Sequence, residues 1–348
     1  MIIGNIDTLE NGLHLSLDWL SFTVKKTMVW QEVAEYFGLN VVQFQDGLNG
    51  SYGYRKRARH MIFSISVLYD GNEDMGIHVD ISGSAIGYFL QCYLSKNTCS
   101  KTPFDTVAYE VNSFDDTILC DVLKDILDLG QVTRLDLAID DVGCRYYTVP
   151  ELDSIFHDGL YTSRFKKFKS IYEGGKDFCS GSSIYLGSRK SELMIRIYDK
   201  QLEQKTKKHD VSLSPWVRWE IELHKNRATV VATFLASGKP LPEIAIGILS
   251  NYLRLIVRDK TRDSRCSTAP KWHDFLSGID KLKICQPVSE KTIDEKREWI
   301  MKQVAPTISA IYEIDGDLSF IYSLIENGSL RLSPELEHII CTSQCAKM

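Results

Sequence analysis

The stretch Leu193-Met-Ile-Arg-Ile-Tyr-Asp-Lys200 alternates between apolar side chains and side chains that carry a polar or charged group. Successive side chains of a β-strand point to opposite faces, so Arg196, Tyr198 and Lys200 share one face and the leucine and isoleucines share the other. This period of two predicts a half-buried strand on which a tyrosine lies between two cations.

Two further stretches alternate in the same way, Arg134-Leu-Asp-Leu-Ala-Ile-Asp140 and Trp216-Val-Arg-Trp-Glu-Ile-Glu-Leu-His224. Their polar faces would carry Arg134, Asp136 and Asp140 in the first strand, and Arg218, Glu220, Glu222 and His224 in the second. For any one strand, the solvent-facing side of an antiparallel sheet is a sufficient explanation. If the three strands are neighbours, however, the combined carboxylates, cations and tyrosine suit a metal-assisted phosphoryl-transfer site better.

A tyrosine nucleophile makes specific demands on its surroundings. A free phenol has a pKa of about 10, so forming the phenolate at pH 7 costs about 4 kcal/mol. Arg196 and Lys200 are expected to lower that cost and to hold a phosphate. Hard divalent cations prefer carboxylate oxygens, which makes Asp136, Asp140 and Glu220 the candidate ligands for Mg²⁺ or Mn²⁺.

The rest of the chain alternates between strand-like and helix-like patterns, with no obvious internal repeat. Strands are predicted over 13–24, 61–68, 76–82, 133–141, 182–187, 192–199 and 216–224. Helices are predicted over 29–37, 84–94, 115–129, 227–236 and 241–253, with Gly130 as the stop signal of the third. This mixture predicts an α+β domain built around a largely antiparallel sheet.

The C-terminal part of the chain, from residue 259, has a different pattern of polar and apolar residues. Residues 259–272 are polar and contain a proline, which is typical of a linker, and the pattern after residue 283 is helical. We therefore predict a first domain over 1–265 and a mostly helical C-terminal region over 266–348.

Charge and cysteine content limit the class of protein. The net charge of −5 divides into −8 over 1–129, +7 over 130–272 and −4 over 273–348, which indicates a polyanion surface in the middle third unless the division is chance. Nine cysteines without a CxxC pair fit reduced thiols. The first 11 residues lack Lys and Arg, and no apolar run reaches 18 residues, so we expect a cytoplasmic protein without a membrane segment.

Several cations are candidates for contacts with a nucleic-acid backbone: Arg55, Arg57, Lys166, Lys167, Arg189 and Arg218. The first two belong to the run Arg55-Lys-Arg-Ala-Arg59, for which a solvated surface is an equally good interpretation. Lys166 and Lys167 are interleaved with Phe165, Phe168 and Tyr172, a combination that suits single-stranded DNA, although we favour a core position for the rings.

Five blocks of this sequence resemble the replication initiation factor family, also called Rep-trans. They are LDWLSFTV (17–24), GIHVDISGSA (76–85), TRLDLAIDD (133–141), IYLGSRKSELMIRIYDK (184–200) and WVRWEIE (216–222). The resemblance covers roughly residues 13–285, and the block around the tyrosine is its most specific part.

The resemblance implies a fold distantly related to the HUH endonucleases, with a largely antiparallel sheet flanked by helices. It also implies that Tyr198, within an R-x-Y-x-K strand, is the nucleophile, that a divalent metal is needed and that the protein is a homodimer. The acidic positions of the family pattern fall on Asp136, Asp140 and Glu220.

Members of that family start rolling-circle replication of plasmids or act as relaxases of integrative conjugative elements. We therefore expect a DNA nicking-closing endonuclease that forms a 5′-phosphotyrosyl intermediate at an origin. Its expected partners are origin duplex with a locally single-stranded nick site and a host helicase and polymerase. The alternatives are a metal-dependent nuclease that activates water with the same carboxylates, and a DNA-binding protein without catalysis.

Two features depart from related enzyme classes. A His-hydrophobic-His triplet is absent, and the nearest sequence is His78-Val-Asp80, so an all-histidine metal site is not expected. The P-loop spacing GxxxxGK[ST] is also absent, so the separation of DNA strands is expected to need a partner.

Overall fold

The computed structural model describes residues 11–97, 116–176, 178–206, 214–276, 297, 301 and 305–329. The strands are β1 Gly12–Val24, β2 Phe44–Asn49, β3 Lys56–His60, β4 Ile65–Tyr69, β5 Ile77–Ser82, β6 Gly130–Val142, β7 Tyr161–Ser163, β8 Phe168–Gly175, β9 Phe178–Leu186, β10 Leu193–Asp199, β11 Trp216–His224, β12 Leu253–Val257 and β13 Ser267–Thr268.

The helices are α1 Trp30–Tyr36, α2 Ala85–Asn97, α3 Asp116–Leu129, α4 Val149–His157, α5 Lys200–Thr206, α6 Lys225–Ala236, α7 Leu241–Tyr252 and α8 Pro270–Leu276, followed by two helices over Ala305–Asp315 and Ser319–Ser329. Short 3₁₀ turns cover Val41–Gln43 and Asp263–Arg265. Every helix within the described ranges is too short or too polar to cross a membrane.

Ten strands form one sheet in the order β2-β3-β4-β5-β1-β6-β11-β10-β9-β8, and all neighbouring strands pair antiparallel. A second, small sheet has the order β13-β12-β7. The prediction of an α+β fold with a largely antiparallel sheet flanked by helices is therefore confirmed.

The large sheet consists of two halves with the same strand order. In each half a 13-residue strand, β1 or β6, lies at the centre and is followed in the chain by a helix, α1 or α4. The last strand of each half, β5 or β11, returns to pair with that central strand. Because β1 and β6 pair antiparallel with each other, the halves meet as a pseudo-twofold pair. The sequence shows no obvious repeat, so the structure corrects that expectation.

One face of the sheet carries the core. Phe22 of β1 contacts Phe37 after α1 and Phe89 of α2, with ring centroids 5.1 and 6.2 Å apart. On the other half, the hydroxyl of Thr229 in α6 donates a hydrogen bond of 2.8 Å to the Val132 carbonyl of β6. Burial of the phenylalanine side chains favours the fold in proportion to the apolar area removed from water.

The opposite face, called the polar face below, carries the polar members of each alternating strand. Its residues include Ser21 and Asp80 in the first half and Arg218, Glu220 and Tyr198 in the second, as the pairing registers require. All three polar strands of the sequence analysis contribute to this one face.

The compact unit that contains the sheet extends beyond the predicted boundary at residue 265. The chain divides into Met1–Gln286 and Pro287–Met348. Trp272 and Phe275 of α8 belong to the core, with ring centroids 5.7 and 5.3 Å from the ring of Trp219 in β11. Aromatic side chains buried in this way hold α8 in the first unit, so the polar segment before it is a surface loop.

Candidate active site

The three strands with charged faces are neighbours. Tyr198 of β10 pairs with Arg218 of β11, and Arg218 in turn pairs with Asp140 of β6. The condition set by the sequence analysis, that the strands share one sheet, is therefore met. Tyr198, Arg218 and Asp140 lie in one row across the polar face.

Tyr198 is held by two polar contacts. Its phenolic hydroxyl donates a hydrogen bond of 2.9 Å to Oε1 of Glu220, and Nζ of Lys200 donates one of 3.2 Å to the phenolic oxygen. The guanidinium of Arg196 lies over the Tyr198 ring, 4.0 Å from its centroid. The phenolic oxygen thus has an acceptor for its proton and a donor for its negative charge.

The resting tyrosine is a neutral phenol. Burial, and then the charge of Glu220, raise the pKa of Tyr198, and the charge of Arg218 opposes them. Burial, and then Arg218, lower the pKa of Lys200. In the resting site burial outweighs the neighbouring cations, because Tyr198 is only 2 % exposed and burial disfavours its charged form. That Arg196 and Lys200 lower the cost of forming the phenolate stays a prediction.

Arg218 is a buried anchor between two carboxylates. Its Nε and Nη2 donate hydrogen bonds of 2.7 and 2.9 Å to the two oxygens of Asp140, and its Nη1 donates one of 2.7 Å to Asp18. The indole of Trp216 donates a further bond of 2.6 Å to Asp140. Arg218 is 8 % exposed, so it organises the site from inside rather than forming part of an outer DNA-contacting surface.

Asp18 is a site residue that the sequence analysis missed. The register of β1 on β6 shifts between Leu17 and Trp19, and this β-bulge turns Asp18 toward Arg218. The sequence contained a signal for this bulge. Leucines recur every second position up to Leu17, but the next one, Leu20, follows after three positions. Such a slip indicates a bulge, and bulges often re-aim a side chain beside a site.

Asp136 belongs to a separate cluster. Nε of Arg134 donates hydrogen bonds of 3.0 Å to both of its carboxylate oxygens, and the Arg134 guanidinium lies 3.9 Å from the ring centroid of Trp19. Burial raises the pKa of Asp136 to about 8, against the lowering effect of Arg134. Glu222 approaches the same guanidinium at 3.8 Å.

The three predicted metal ligands are thus each engaged by another side chain. Asp136 is bound by Arg134, Asp140 by Arg218, and Glu220 by Tyr198 and by Arg196 at 3.5 Å. Within the described ranges, no three His, Cys, Asp or Glu residues are placed to hold one metal ion. This arrangement of donors does not fit a divalent cation without rearrangement.

The other five predicted phosphate-contacting cations fall into two places on the molecule. Lys166 and Lys167 are exposed in the loop before β8, and the Lys167 carbonyl accepts a hydrogen bond from Gly187 at the exposed turn that carries Arg189. Arg55 and Arg57 lie near the β2 edge of the sheet, where Arg55 donates a 2.9 Å bond to Asp70.

The aromatic rings between the lysines are part of the core. Phe165 contacts Tyr252 with ring centroids 5.4 Å apart, and Phe168 contacts Phe156 at 5.5 Å. The interpretation of the rings as core residues is therefore confirmed for Phe165 and Phe168. It is wrong for Tyr172 of β8, which is 52% exposed.

A hollow of about 190 Å³ opens beside Tyr198. Its wall includes Ser183 and Tyr185 of β9, Arg196 of β10 and Glu203 of α5. Tyr198 and Arg196 both line this hollow, which makes it the candidate place for a substrate group to approach Tyr198.

The comparisons with known proteins identify the family and the fold. The family model described as replication initiation factor matches residues 130–325, which include β6, β10 and β11. The chain is 28% identical over 324 residues to a Bacillus subtilis (strain 168) protein named "Putative DNA relaxase NicK", covering 90% of this chain and 84% of that protein.

A solved structure, that of the rolling circle replication initiator protein from Geobacillus stearothermophilus, is similar in fold, with a TM-score of 0.62 and 28% sequence identity. The match covers 79% of this chain and 99% of that one, and it bears out the expected HUH-type fold. More than half of the chain matches the family model, and the chain therefore belongs to the replication initiation factor family.

Proposed function

We propose that this protein nicks and rejoins one strand of DNA by tyrosine transesterification, with Tyr198 as the nucleophile. The observation that carries the proposal is the contact of the Tyr198 hydroxyl with Glu220 and Lys200 on a sheet of the replication-initiator type. The named relatives, a relaxase and a rolling-circle initiator, favour the same chemistry.

The proposed reaction exchanges one phosphate ester for another. The phenolic oxygen of Tyr198 forms a bond to the scissile phosphorus while the phosphorus–O3′ bond breaks. Glu220 takes the phenolic proton, and the departing O3′ takes a proton from water. The proton on Glu220 then neutralises the hydroxide that is left, and the 5′ end stays attached to the protein. Because one ester replaces another, rejoining needs no ATP.

Glu220 and Lys200 would act on the same oxygen atom in opposite ways. Glu220 is 2.9 Å away and accepts the proton, as a general base must. Lys200 is 3.2 Å away and stabilises the negative charge that develops as the proton leaves. Burial of the site strengthens both effects because charges interact more strongly in a low-dielectric environment.

Arg196 is suited to hold the phosphate. Its guanidinium lies between the rings of Tyr185 and Tyr198, 5.8 and 4.0 Å from their centroids, and it lines the hollow. A planar guanidinium can bind two phosphate oxygens at once. Arg218 is held by Asp18 and Asp140, and it lies beside Tyr198 in the row across β6, β11 and β10. It would thereby hold the position of these strands around Tyr198.

The dependence on Mg²⁺ or Mn²⁺ stays a prediction. Asp136, Asp140 and Glu220 do not fit a shared cation in the present arrangement, so no step of the proposed reaction is assigned to a metal. The origin DNA, a host helicase and polymerase and a homodimer are likewise proposed partners, and the cytoplasm is the proposed location. The biological outcome would be rolling-circle replication or conjugative transfer.

A nicking assay on supercoiled DNA that carries the element's origin tests the proposal. Wild type, Tyr198→Phe and Tyr185→Phe are compared with Mg²⁺, with Mn²⁺ and with EDTA. We expect nicking by wild type and Tyr185→Phe and none by Tyr198→Phe. Equal nicking by Tyr198→Phe would favour the nuclease that uses activated water. DNA binding without nicking by any variant would favour a non-catalytic binding protein.

A further inference from the structure

The turn between β3 and β4 presents two apolar side chains to solvent. Met61 is 64% exposed and Ile62 is 79% exposed. The sequence analysis placed both in a strand, but β4 begins only at Ile65, and residues 61–64 form the tip of a hairpin. Adjacent exposed apolar residues at a rigid tip indicate a contact with another molecule.

The tip is rigid because a buried histidine organises it. Nδ1 of His60 accepts hydrogen bonds from the backbone N–H groups of Ile62 and Phe63, at 3.2 and 3.0 Å. His60 itself is 2 % exposed. The side chain of His60 thus satisfies the turn's donors and fixes the path of its backbone.

A second anchor holds the tip to the core. Phe63 turns inward and stacks on Tyr88 of α2, with ring centroids 4.0 Å apart. On the other side, the backbone N–H of Met61 donates a 2.9 Å bond to the Gln43 carbonyl. Met61 and Ile62 therefore project from a preorganised base, and little backbone conformational entropy is lost when they insert into a partner.

The hairpin that carries this tip is basic, which indicates a polyanionic partner. Lys56 and Arg59 of β3 are exposed, and Arg55 directly precedes the strand. Arg59 pairs with Ser66, which pairs with Asp80 on the polar face. Arg59 therefore shares the face of the sheet on which Tyr198 lies. Lys56 lies on the opposite face of β3 from Arg59, and Arg55 and Lys56 approach Asp70 at 2.9 and 4.0 Å. The four cations of residues 55–59 still outnumber that carboxylate, which favours a polyanion over an apolar protein surface as the partner.

The separation from the active site suits a duplex that lies across the polar face. Five strand spacings separate β4 from β10 in the sheet. At about 4.8 Å per spacing this is roughly 24 Å, or about seven base pairs of B-DNA. One duplex can thus reach both the tip and the hollow beside Tyr198.

We propose that Met61 and Ile62 insert between base pairs of duplex DNA as a wedge and open the duplex near the nick site. Apolar side chains of this kind unstack base steps in other DNA-bending proteins. The inference rests on the proposed nicking function and adds to it a way to expose the scissile strand. It replaces the expectation that strand opening depends wholly on a partner.

The test compares Met61→Ser/Ile62→Ser with wild type and with Val257→Ser, which removes an apolar side chain that is 47% exposed elsewhere. Each protein nicks three origin substrates: a single-stranded oligonucleotide, a linear duplex, and a duplex with an unpaired bubble at the nick site. Permanganate reactivity of thymines reports base unpairing in the duplex, in a Tyr198→Phe background that prevents nicking.

The wedge predicts that the double variant nicks single strand and bubble as wild type does, but nicks the linear duplex about tenfold or more slowly and loses the permanganate signal. Val257→Ser should match wild type on all three substrates. Equal duplex nicking and equal permanganate signals by the double variant and wild type would overturn the wedge. The wedge would also be overturned if the proposed homodimer formed in wild type but not in the double variant, and this difference accounted for the slower duplex nicking. Failure of wild type on single strand would instead contradict the nicking function itself.

Discussion

Oε1 of Glu220 lies 2.9 Å from the phenolic oxygen of Tyr198, across the pairing of β10 with β11. Burial, and then Asp18, raise the pKa of Glu220, so its carboxylate is a stronger base than an exposed glutamate. A buried base in contact with a buried phenol is the arrangement that proton transfer during nicking requires.

Glu220→Gln should therefore abolish most of the nicking without loss of the fold. The amide keeps the shape and a hydrogen bond to Tyr198, but it cannot take the proton, so we expect a rate lower by about 10²–10⁴. Single-turnover nicking of an origin oligonucleotide measures this, and binding of the same oligonucleotide is the control. A rate within threefold of wild type would exclude Glu220 as the base.

Arg218→Met should destabilise the protein strongly. The change leaves the buried carboxylate of Asp140 without its two-pronged partner, for which we expect a loss of about 3–5 kcal/mol in the free energy of unfolding. Urea titration followed by tryptophan fluorescence measures it. The double variant Arg218→Met/Asp140→Asn should recover part of the loss, and no recovery would show that the contact with Asp18 dominates.

Gly130→Ala should weaken the pairing of the two central strands. A Cβ at this position would lie 1.9 Å from the Thr23 carbonyl oxygen of β1, so the backbone must move. We expect destabilisation of about 1–3 kcal/mol or more, as for other overpacked sites. Gly328→Ala is the matched control, because nothing lies within 4 Å of its Cβ position and its effect should be small.

The tip at Met61 and Ile62 should become less stable in acid. Burial lowers the pKa of His60 below its ordinary value of 6.5, so the unfolded chain takes up the proton more readily than the folded one. The stabilisation is complete above pH 6.5 and is lost as the pH falls from there toward the folded pKa.

Hydrogen exchange of the Ile62 and Phe63 amides over that pH range measures the effect. Protection of the two amides, corrected for intrinsic exchange, should fall in wild type as the pH decreases. His78 also has a lowered pKa, so His60→Asn is the comparison that isolates His60. An equal pH dependence in both proteins would contradict the role of His60.

The alternating pattern predicted the strands of the site because one face of each is buried. Leu135 and Ile195 are fully buried, and the neighbouring polar side chains then had to share the other face. Strand pairing depends on contacts between residues that are distant in sequence. Residue types therefore did not predict the two pseudo-twofold halves, and they did not predict that an arginine would bind each carboxylate. The bulge at Asp18 was visible only as a slip in period.

The strands near the β2 edge of the sheet were harder to predict for a different reason. β3, with Lys56 and Arg59 exposed, lacks the apolar alternation that marks a half-buried strand, and its hairpin tip depends on a side-chain contact of His60. The apolar pattern of the sequence placed Met61 and Ile62 in the strand. The hydrogen bonds from the Ile62 and Phe63 N–H groups to His60 instead hold them in the turn before β4.

The most direct test of the account is to locate the covalent link. Wild-type protein is incubated with an origin oligonucleotide that carries a label on the 3′ side of the nick, digested with protease and analysed by mass spectrometry. The account predicts a labelled peptide with the DNA 5′ phosphate on Tyr198, and none from Tyr198→Phe. An adduct on another tyrosine, or complete nicking with no adduct, would contradict it.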